Sequence, residues 1–207
     1  MEHVTIVEHP LVQRNLAVLR DKQTERGAFR RALADVALAL AYEATRDLAT
    51  RSVTVETPLA RCKARALKRE VLLAPILRAG LGMLDPVLRI LPEAEVGFIG
   101  LKRDEATLDP ISYYANLPED LRAYDVILMD PMLATGGSSV AALDLLRERK
   151  AKRIRMINLL AAPEGVRKVR EHYPDLPIFT AAIDKKLSDV GYIVPGLGDA
   201  GDRQFNG

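Results

Sequence analysis

The feature that most constrains the fold is a series of short, continuously apolar segments separated by helix-like stretches. Four such runs lie between residues 71 and 161, with the sequences VLLAPIL, VGFIGL, VILM and IRMINLLA. Helical patterns follow several of them, at 82–91, 138–149 and 164–172. Strands that are buried on both faces and alternate with helices are typical of a mostly parallel sheet in an α/β domain. PIFTAAI at 177–183 predicts one further strand.

The N-terminal part has a different pattern. Residues 10–20 and 24–49 are predicted to be helical, with Thr24 as the N-cap of the second helix. The apolar residues of that second stretch cover a wide face, which predicts burial against a sheet or another subunit. Alternating residues at 52–56 predict a half-exposed strand.

Two less periodic segments complete the chain. KRDEATLDPISYYANLPEDL, residues 102–121, is long and polar, and a connection of that length is usually a functional flap or a small hairpin. The glycine-rich tail 184–207 is expected to be ordered by packing, because four apolar side chains would otherwise be exposed: Tyr192, Ile193, Val194 and Leu197.

Composition excludes several function classes. The 207 residues are 48% hydrophobic with a net charge of +2, so no strong field for nucleic acid or an anionic membrane is expected. The single cysteine, Cys62, favours a reducing compartment, and no local zinc pattern is present. Residues 1–10 lack the basic and apolar pattern of a secretion signal, so none is expected, and no apolar run approaches the roughly 20 residues that span a bilayer. The predicted location is the cytoplasm.

The stretch VILMDPMLATGGSS, residues 126–139, predicts a ligand site. In open α/β sheets, ligands bind beyond the carboxyl ends of the strands, where Asp130 stands. Residues 135–138 lie where the next helix begins, and free N–H groups there bind phosphate. A carboxylate beside a phosphate cradle suits a phosphorylated sugar. Taken alone, TGGS indicates a phosphate site and an ordinary helix cap with a turn about equally well. Neither a Walker-A pattern nor GxGxxG after a strand is present.

DPMLATGGS at 130–138 resembles the 5-phosphoribosyl-1-diphosphate (PRPP) binding loop of the uracil phosphoribosyltransferase family. Many type I phosphoribosyltransferases carry two acidic residues in this loop, whereas here Pro131 takes the second place, as in the uracil enzymes. Further segments resemble the family from HPLV at 9–12 onward: APILRAGLGM (74–83), IGLKRDEATLDP (99–110), AAPEG (161–165) and GYIVPGLGDAGDR (191–203). Residues 57–70 match no known motif.

The resemblance implies a fold and a reaction. The fold would be a type I phosphoribosyltransferase domain over 1–207, with a hood built from 184–207 and part of the N-terminal region. Uracil and PRPP would give uridine monophosphate (UMP) and diphosphate in pyrimidine salvage, with Mg²⁺ bound mainly through PRPP rather than by a dedicated protein site.

The resemblance also implies residue roles. Arg78 would contact the diphosphate, and Arg103 would close over it and stabilise the leaving-group charge. Asp130 would bind the ribose hydroxyls. Asp199 would lie near PRPP and its metal and, with Arg103, is a candidate catalytic residue. The remaining PRPP-binding loop divides into shaping residues, Pro131, Met132 and Leu133, and the 5′-phosphate cradle, Ala134, Thr135, Gly136, Gly137 and Ser138.

Uracil would be read by the tail. A small ring with alternating carbonyl and N–H groups suits backbone donors and acceptors. By resemblance, the uracil-binding residues are Ile193, Gly198, Asp199 and Ala200, with Asp199 beside the three that pair through their backbones.

The apolar helix and the family resemblance also give predictions for assembly and regulation. The wide apolar helix predicts a homodimer or a larger homo-oligomer, and some members of the family are activated by GTP, which makes GTP a candidate effector. A basic run is interpreted as a solvated or subunit-facing surface, and an anionic effector site there is a minor alternative: Arg61, Lys63, Arg65, Lys68 and Arg69.

Two other function classes stay open at this point. One is a regulator of the same fold that binds RNA, although such proteins generally carry the two-acid loop and lack the tail at 191–203. The near-neutral charge also gives no basic footprint for RNA. The other is a phosphoribosyltransferase for a different base, which a panel of bases would distinguish.

Overall fold

The chain forms a central, mostly parallel sheet with helices on both faces. The computed structural model describes residues 3–103 and 110–206, except for the side chains of Arg103 and Pro110. The strands are β1 Val4–Ile6, β2 Thr50–Glu56, β3 Arg61–Leu67, β4 Val71–Leu77, β5 Glu95–Val96, β6 Phe98–Arg103, β7 Pro110–Asn116, β8 Asp125–Met129, β9 Met132–Leu133, β10 Arg153–Ala161, β11 Ile178–Ile183, β12 Lys186–Leu187 and β13 Ile193–Val194. The helices are α1 Pro10–Arg20, α2 Arg26–Ala44, α3 Leu81–Leu88, α4 Gly137–Glu148, α5 Pro163–His172 and α6 Ala200–Gln204.

The main sheet confirms the parallel arrangement predicted from the apolar runs. Its strand order is β1-β11-β10-β8-β4-β6-β7, with β5 beside β4 and β9 beside β10. All described pairings in this sheet are parallel except that of β6 with β7. Because β4, β8 and β10 are parallel neighbours, the loops that follow these strands meet at one edge of the sheet.

Burial on both faces explains why the strand sequences are continuously apolar. Successive side chains of a strand point to opposite faces, so Val126 and Leu128 of β8 join one apolar cluster while Ile127 and Met129 join the other. The first cluster lies against α4 and α5, and the second lies against α1, α2 and α3. The sheet therefore has a helical layer on each side.

The second predicted helix is shorter than the pattern suggested, and its cap is different. Helix α2 spans Arg26–Ala44, and Glu25 is the N-cap residue without a side-chain hydrogen bond. Thr24 is not the cap, because its hydroxyl donates instead to the Val18 carbonyl, at 2.6 Å, and so holds the turn between α1 and α2. The wide apolar face of α2 packs within this chain, against the sheet, α1 and α3.

The segment 50–67 is an antiparallel hairpin of β2 and β3. The strand predicted at 52–56 is therefore longer than expected, and its partner β3, in the basic stretch without a motif, was missed. Most of its residues are exposed rather than half-buried. The hairpin packs mainly on itself, which places much of the basic run on a solvated surface.

The long polar segment includes a hairpin, as one of the two predictions proposed. Strands β6 and β7 pair antiparallel, from Phe98 opposite Asn116 to Arg103 opposite Pro110. The intervening residues 104–109, with Asp104 and Glu105, lie outside the described residues. No helix over the described ranges is both long and apolar enough to cross a bilayer.

The C-terminal tail packs against the rest of the chain over its described residues, 184–206, but only part of its apolar surface is buried. Ile193 and Leu197 are 4% exposed, as expected for residues that anchor the tail. Tyr192 and Val194 are 48% and 37% exposed, so burial does not explain these two positions. Strands β12 and β13 form a small antiparallel pair, and α6 follows.

Candidate active site

A cavity of about 440 Å³ lies beyond the carboxyl ends of β4 and β8. The parallel register sets Pro75 of β4 beside Met129 of β8, so the residues that follow both strands share one edge. The C-terminal tail forms another wall of this cavity. Segments that are distant in sequence therefore meet here: 76–79, 130–139, 190–193 and 198–201.

The loop after β8 is fixed by backbone contacts to the neighbouring strand. The Pro131 carbonyl accepts hydrogen bonds from the Leu159 and Leu160 amides at 2.9 and 3.1 Å. The Leu133 carbonyl accepts from the Ala162 amide at 2.8 Å. Pro131 and Leu133 are buried beneath the loop and do not line the cavity. They give the loop its shape.

The end of this loop has the geometry of an anion cradle. Gly136 has φ +82°, a left-handed conformation that favours glycine, and α4 begins at the next residue. No described side chain caps this helix start. Its first N–H groups therefore have no described side-chain acceptor at this cap, and Gly136, Ser138 and Ser139 line the cavity at this helix end, where the helix dipole favours an anion.

The start of α5 packs directly against the backbone of the same loop. A Cβ at Gly165 would lie 2.4 Å from the Ala134 carbonyl oxygen and 2.8 Å from that of Leu133. Only glycine permits this approach. The AAPEG segment therefore lies directly against the loop, which gives its presence in the sequence a physical reason.

Asp130 is positioned by a residue that the sequence did not reveal. The side chain of Asn158, which is fully buried in β10, donates from Nδ2 to the Asp130 carbonyl at 2.6 Å. Asp130 itself lines the cavity. The contact fixes the peptide that carries the carboxylate.

Arg78 follows β4 at the cavity edge. Its side chain is 63% exposed and forms a long ion pair of 3.6 Å with Asp202 and a 3.4 Å hydrogen bond to the Asn206 carbonyl. The Leu77–Arg78 peptide bond is cis. A Cβ at Gly80 would lie 2.5 Å from the Met129 carbonyl oxygen, so a glycine is needed for this loop to pack against β8.

The tail wall is built from backbone and glycines. Ile193, Gly198, Asp199 and Ala200 all line the cavity. Gly196 and Gly198 have φ +62° and +80°, and the Val194–Pro195 peptide bond is cis. The Asp199 carboxylate accepts from the Asp202 amide at 2.9 Å and so caps α6.

Arg203 and Gln204 anchor the tail to the rest of the chain. Arg203 donates to the Leu197 carbonyl at 2.9 Å and to the Asp21 carbonyl at 2.6 Å, and its guanidinium lies 4.3 Å from the centre of the Phe29 ring. Burial lowers the pKa of Arg203, but from an ordinary value high enough for the side chain to stay cationic. The fully buried Gln204 donates to the Ala79 and Ala200 carbonyls, at 3.1 and 2.7 Å. It thus ties the tail to the Arg78 loop.

Most of the residues predicted from sequence meet in this cavity. The structure brings together Arg78, Asp130, Met132, Ala134, Thr135, Gly136, Ser138, Ile193, Gly198, Asp199 and Ala200. Pro131, Leu133 and Gly137 belong to the loop but do not line the cavity. The backbone of Arg103 ends β6, and its side chain lies outside the described part of the chain.

Several lining residues were not predicted. Ser139 and Val190 lie one residue outside the loop motif and the tail segment, and Gly191 and Tyr192 lie within the tail segment, so the motifs could have indicated all four. Leu101 of β6 also lines the cavity and lies within the family-like segment 99–110, although no role was predicted for it. Asn158 and Gln204 act through contacts that span long sequence distances, which no local pattern reveals.

Comparison with solved structures defines the fold class of this protein. An Aquifex aeolicus protein of 38% sequence identity superimposes with a TM-score of 0.91 over 98% of each chain. The adenine phosphoribosyl transferase of Trypanosoma brucei, solved with AMP, pyrophosphate and ribose-5-phosphate, is 13% identical with a TM-score of 0.59 over 92% of this chain and 88% of its own. The latter likeness concerns the fold alone. The fold is that of a type I phosphoribosyltransferase.

Sequence comparison then identifies the family within this fold class. The family model described as uracil phosphoribosyltransferase matches residues 6–207. The chain is 52% identical over 204 residues to a uracil phosphoribosyltransferase of Paracoccus denitrificans, covering 98% of this chain and 97% of that one. It is 52% identical over 206 residues to that of Symbiobacterium thermophilum, covering 99% of both. The chain belongs to the uracil phosphoribosyltransferase family.

Proposed function

We propose that this chain transfers the phosphoribosyl group of PRPP to uracil, forming UMP and diphosphate in pyrimidine salvage. The observation that carries the proposal is the single cavity in which the DPMLATGGS loop, Arg78 and the C-terminal tail meet. Each of these segments offers the chemistry that one part of the substrates needs. Family membership supports the same reaction.

PRPP binds along the carboxyl edge of the sheet. Its 5′-phosphate accepts hydrogen bonds from the amides at the start of α4, in the cradle of residues 134–138, with Thr135 and Ser138 as hydroxyl donors. Asp130 accepts hydrogen bonds from the ribose hydroxyls. Arg78 reaches the diphosphate, since its present partners are long contacts that a phosphate can replace.

Uracil binds against the tail. The backbones of Ile193, Gly198 and Ala200 supply the donors and acceptors that read its carbonyl and N–H groups. Glycines on this wall allow the chain to approach a flat ring. Asp199 lies on the same wall, although in the structure its carboxylate is engaged as the cap of α6.

The reaction forms the bond between N1 of uracil and C1′ of PRPP and breaks the bond between C1′ and the diphosphate oxygen. The proton on N1 passes to Asp199, the candidate catalytic carboxylate of the tail wall, and diphosphate leaves with the electron pair of the broken C1′–O bond. Arg78 and Arg103 stabilise the negative charge that develops on the leaving group. Asp130 and the phosphate cradle hold the sugar so that C1′ faces the ring.

The side chains that line the cavity are compatible with a Mg²⁺ ion that is bound mainly through PRPP. Over residues 3–103 and 110–206, no group of three or more His, Cys, Asp or Glu side chains could hold a metal. Mg²⁺ is usually bound through one or two carboxylates together with substrate phosphates and water, and Asp130 and Asp199 are the carboxylates of the described cavity lining. When bound, the ion would neutralise charge on the diphosphate.

The β6–β7 hairpin is positioned to control water access. Leu101 of β6 lines the cavity, and Arg103 ends the same strand. Closure of this segment over PRPP would exclude water, which otherwise hydrolyses the substrate.

The domain proposal is one phosphoribosyltransferase unit over 1–207, with a hood from 184–207 and part of the N-terminal region. It is supported by the hydrogen bonds of Arg203 to the end of α1, at the carbonyls of Leu19 and Asp21. A cytoplasmic location, inferred from the single cysteine, stays a prediction.

A homodimer is supported by the β2–β3 hairpin, not by α2. The pairing register places five small or apolar residues on one face of the hairpin, together with Arg51 near its end: Val53, Val55, Cys62, Ala64 and Ala66. On the other face, Lys63 and Arg65 donate to the hydroxyls of Thr54 and Thr50. An isolated two-stranded hairpin is marginally stable, so a second copy of this chain covers its apolar face. The candidate effector GTP is tested by measuring UMP formation and molecular mass with and without it.

The proposed function is tested with purified protein, PRPP and Mg²⁺, supplied separately with uracil, cytosine, hypoxanthine and adenine. UMP and an equal amount of diphosphate are expected from uracil, with little product from the other bases. A purine nucleotide formed in the absence of any UMP would contradict the proposal.

A further inference from the structure

One buried ion pair holds the turn between the predicted uracil-binding residues. Arg20, at the end of α1, pairs with both carboxylate oxygens of Asp184 at 2.6 and 2.8 Å. The Asp184 side chain is 6% exposed and that of Arg20 26%. The pair joins the first helix to the connection between β11 and β12, across 164 residues of sequence.

The same pair binds both backbone polar groups of Gly196. Asp184 Oδ2 accepts from the Gly196 amide at 2.8 Å. Arg20 Nη1 donates to the Gly196 carbonyl at 2.9 Å. A glycine with φ +62° whose N–H and C=O are both held has a fixed peptide orientation on each side.

Gly196 lies between Ile193 and Gly198, which line the cavity, but does not line it itself. Arg20 and Asp184 are also absent from the lining. The side chains of the ion pair therefore act on the cavity through the turn. A displaced turn would move the tail backbone, whereas the phosphate loop keeps its own hydrogen bonds to β10 and the start of α5.

We propose that Arg20 and Asp184 are positioning residues for uracil. By holding Gly196, they fix where the backbone N–H and C=O groups of the tail lie relative to the base. This inference rests on the proposed function. A charged pair of this kind serves geometry as well as stability, because backbone recognition of a small ring tolerates little displacement. The effect should be larger for uracil than for PRPP, since the phosphate cradle, Asp130 and Arg78 lie on other segments and Asp199 is the one tail residue assigned to both substrates.

The test compares steady-state kinetics of the wild type with Arg20→Ala, Asp184→Ala, Arg20→Lys and Asp184→Asn. The alanine variants are expected to raise the KM for uracil about tenfold or more, with the KM for PRPP within about twofold of the wild type. Arg20→Lys keeps a donor and Asp184→Asn keeps an acceptor for Gly196, so both should have intermediate values. Arg14→Ala, an exposed position on α1, is the matched control and should match the wild type.

A general loss of stability would change both KM values or only the amount of active enzyme, and lysine or asparagine would not restore the uracil KM. If an alanine variant does not fold, the two conservative variants provide the same comparison. Unchanged uracil KM in folded variants of an active enzyme, or equal increases for both substrates, would overturn the inference alone. A wild type that forms no UMP would overturn the proposed function and the inference with it.

Discussion

Asp130 is the residue on which the proposed recognition of the sugar depends. It follows a fully buried strand, lines the cavity and is held through its backbone by Asn158. Its position was predictable because the end of a buried parallel strand fixes where the next side chain lies. Asn158 was not predictable, because its partner is 28 residues away and an asparagine within an apolar strand has no distinctive local pattern.

Replacement of Asp130 by Asn should lower kcat/KM for PRPP by about tenfold or more. The amide is nearly isosteric, but it replaces one carboxylate acceptor with a donor and removes the charge that strengthens bonds to the ribose hydroxyls. Steady-state kinetics at saturating uracil measures the effect.

Asp120→Asn is the matched control. The side chain of Asp120 is exposed on the surface, where hydrogen bonds and the charge of Arg122 lower the pKa of its carboxyl to about 2. This variant should keep the wild-type kcat/KM. Equal values for Asp130→Asn and the wild type would contradict the sugar-binding role.

At the scale of elements, the packing of α5 against the loop after β8 is the contact that gives the phosphate cradle its shape. The buried strands β4, β6, β8, β10 and β11, and the helices α3, α4 and α5 that follow three of them, were predicted correctly because burial on both faces leaves a strong apolar signal. The end of α2 and its cap were predicted incorrectly, since Thr24 finds an acceptor in the preceding turn rather than in its own helix. Strand β3 was missed because its exposed, basic residues resemble a loop.

Gly165→Ala tests the contact between α5 and the loop. The new Cβ would lie 2.4 Å from the Ala134 carbonyl oxygen, so the cradle must shift. The KM for PRPP should rise about tenfold, with a smaller change in the KM for uracil.

Gly27→Ala is the control, because the nearest atom to its Cβ is the flexible end of Arg31 at 3.6 Å. Alanine is the better helix former, so this variant should gain up to about 0.5–1 kcal/mol in unfolding free energy and keep wild-type kinetics. A PRPP KM for Gly165→Ala equal to that for Gly27→Ala would show that the cradle does not depend on this packing.

At the scale of the whole molecule, segments spread between residues 76 and 201 converge on one edge of one sheet. The motifs of the loop and the tail indicated separately what each would bind. Their meeting depends on Arg20, Arg203 and Gln204, whose partners lie more than 100 residues away. Such contacts are set by the folded chain as a whole, so the sequence pattern predicted the parts of the site but not what holds them together.

Deletion of the β2–β3 hairpin should convert a dimer to a monomer. The ends of the hairpin are adjacent, since the Lys68 amide donates to the Ala49 carbonyl at 2.8 Å, so an Asn-Gly turn can replace residues 50–67. Light scattering should give twice the chain mass for the wild type and the single-chain mass for the variant, with an unchanged far-ultraviolet circular dichroism spectrum apart from the lost strands. A variant that keeps the wild-type assembly would contradict the proposed interface.

The most direct test of the account is a crystal structure of the protein with UMP. The account predicts the 5′-phosphate on the amides of 134–138, the ribose hydroxyls at Asp130, and the uracil ring against the backbones of Ile193, Gly198 and Ala200. A phosphate bound away from the start of α4, or a base bound outside the tail wall, would contradict it.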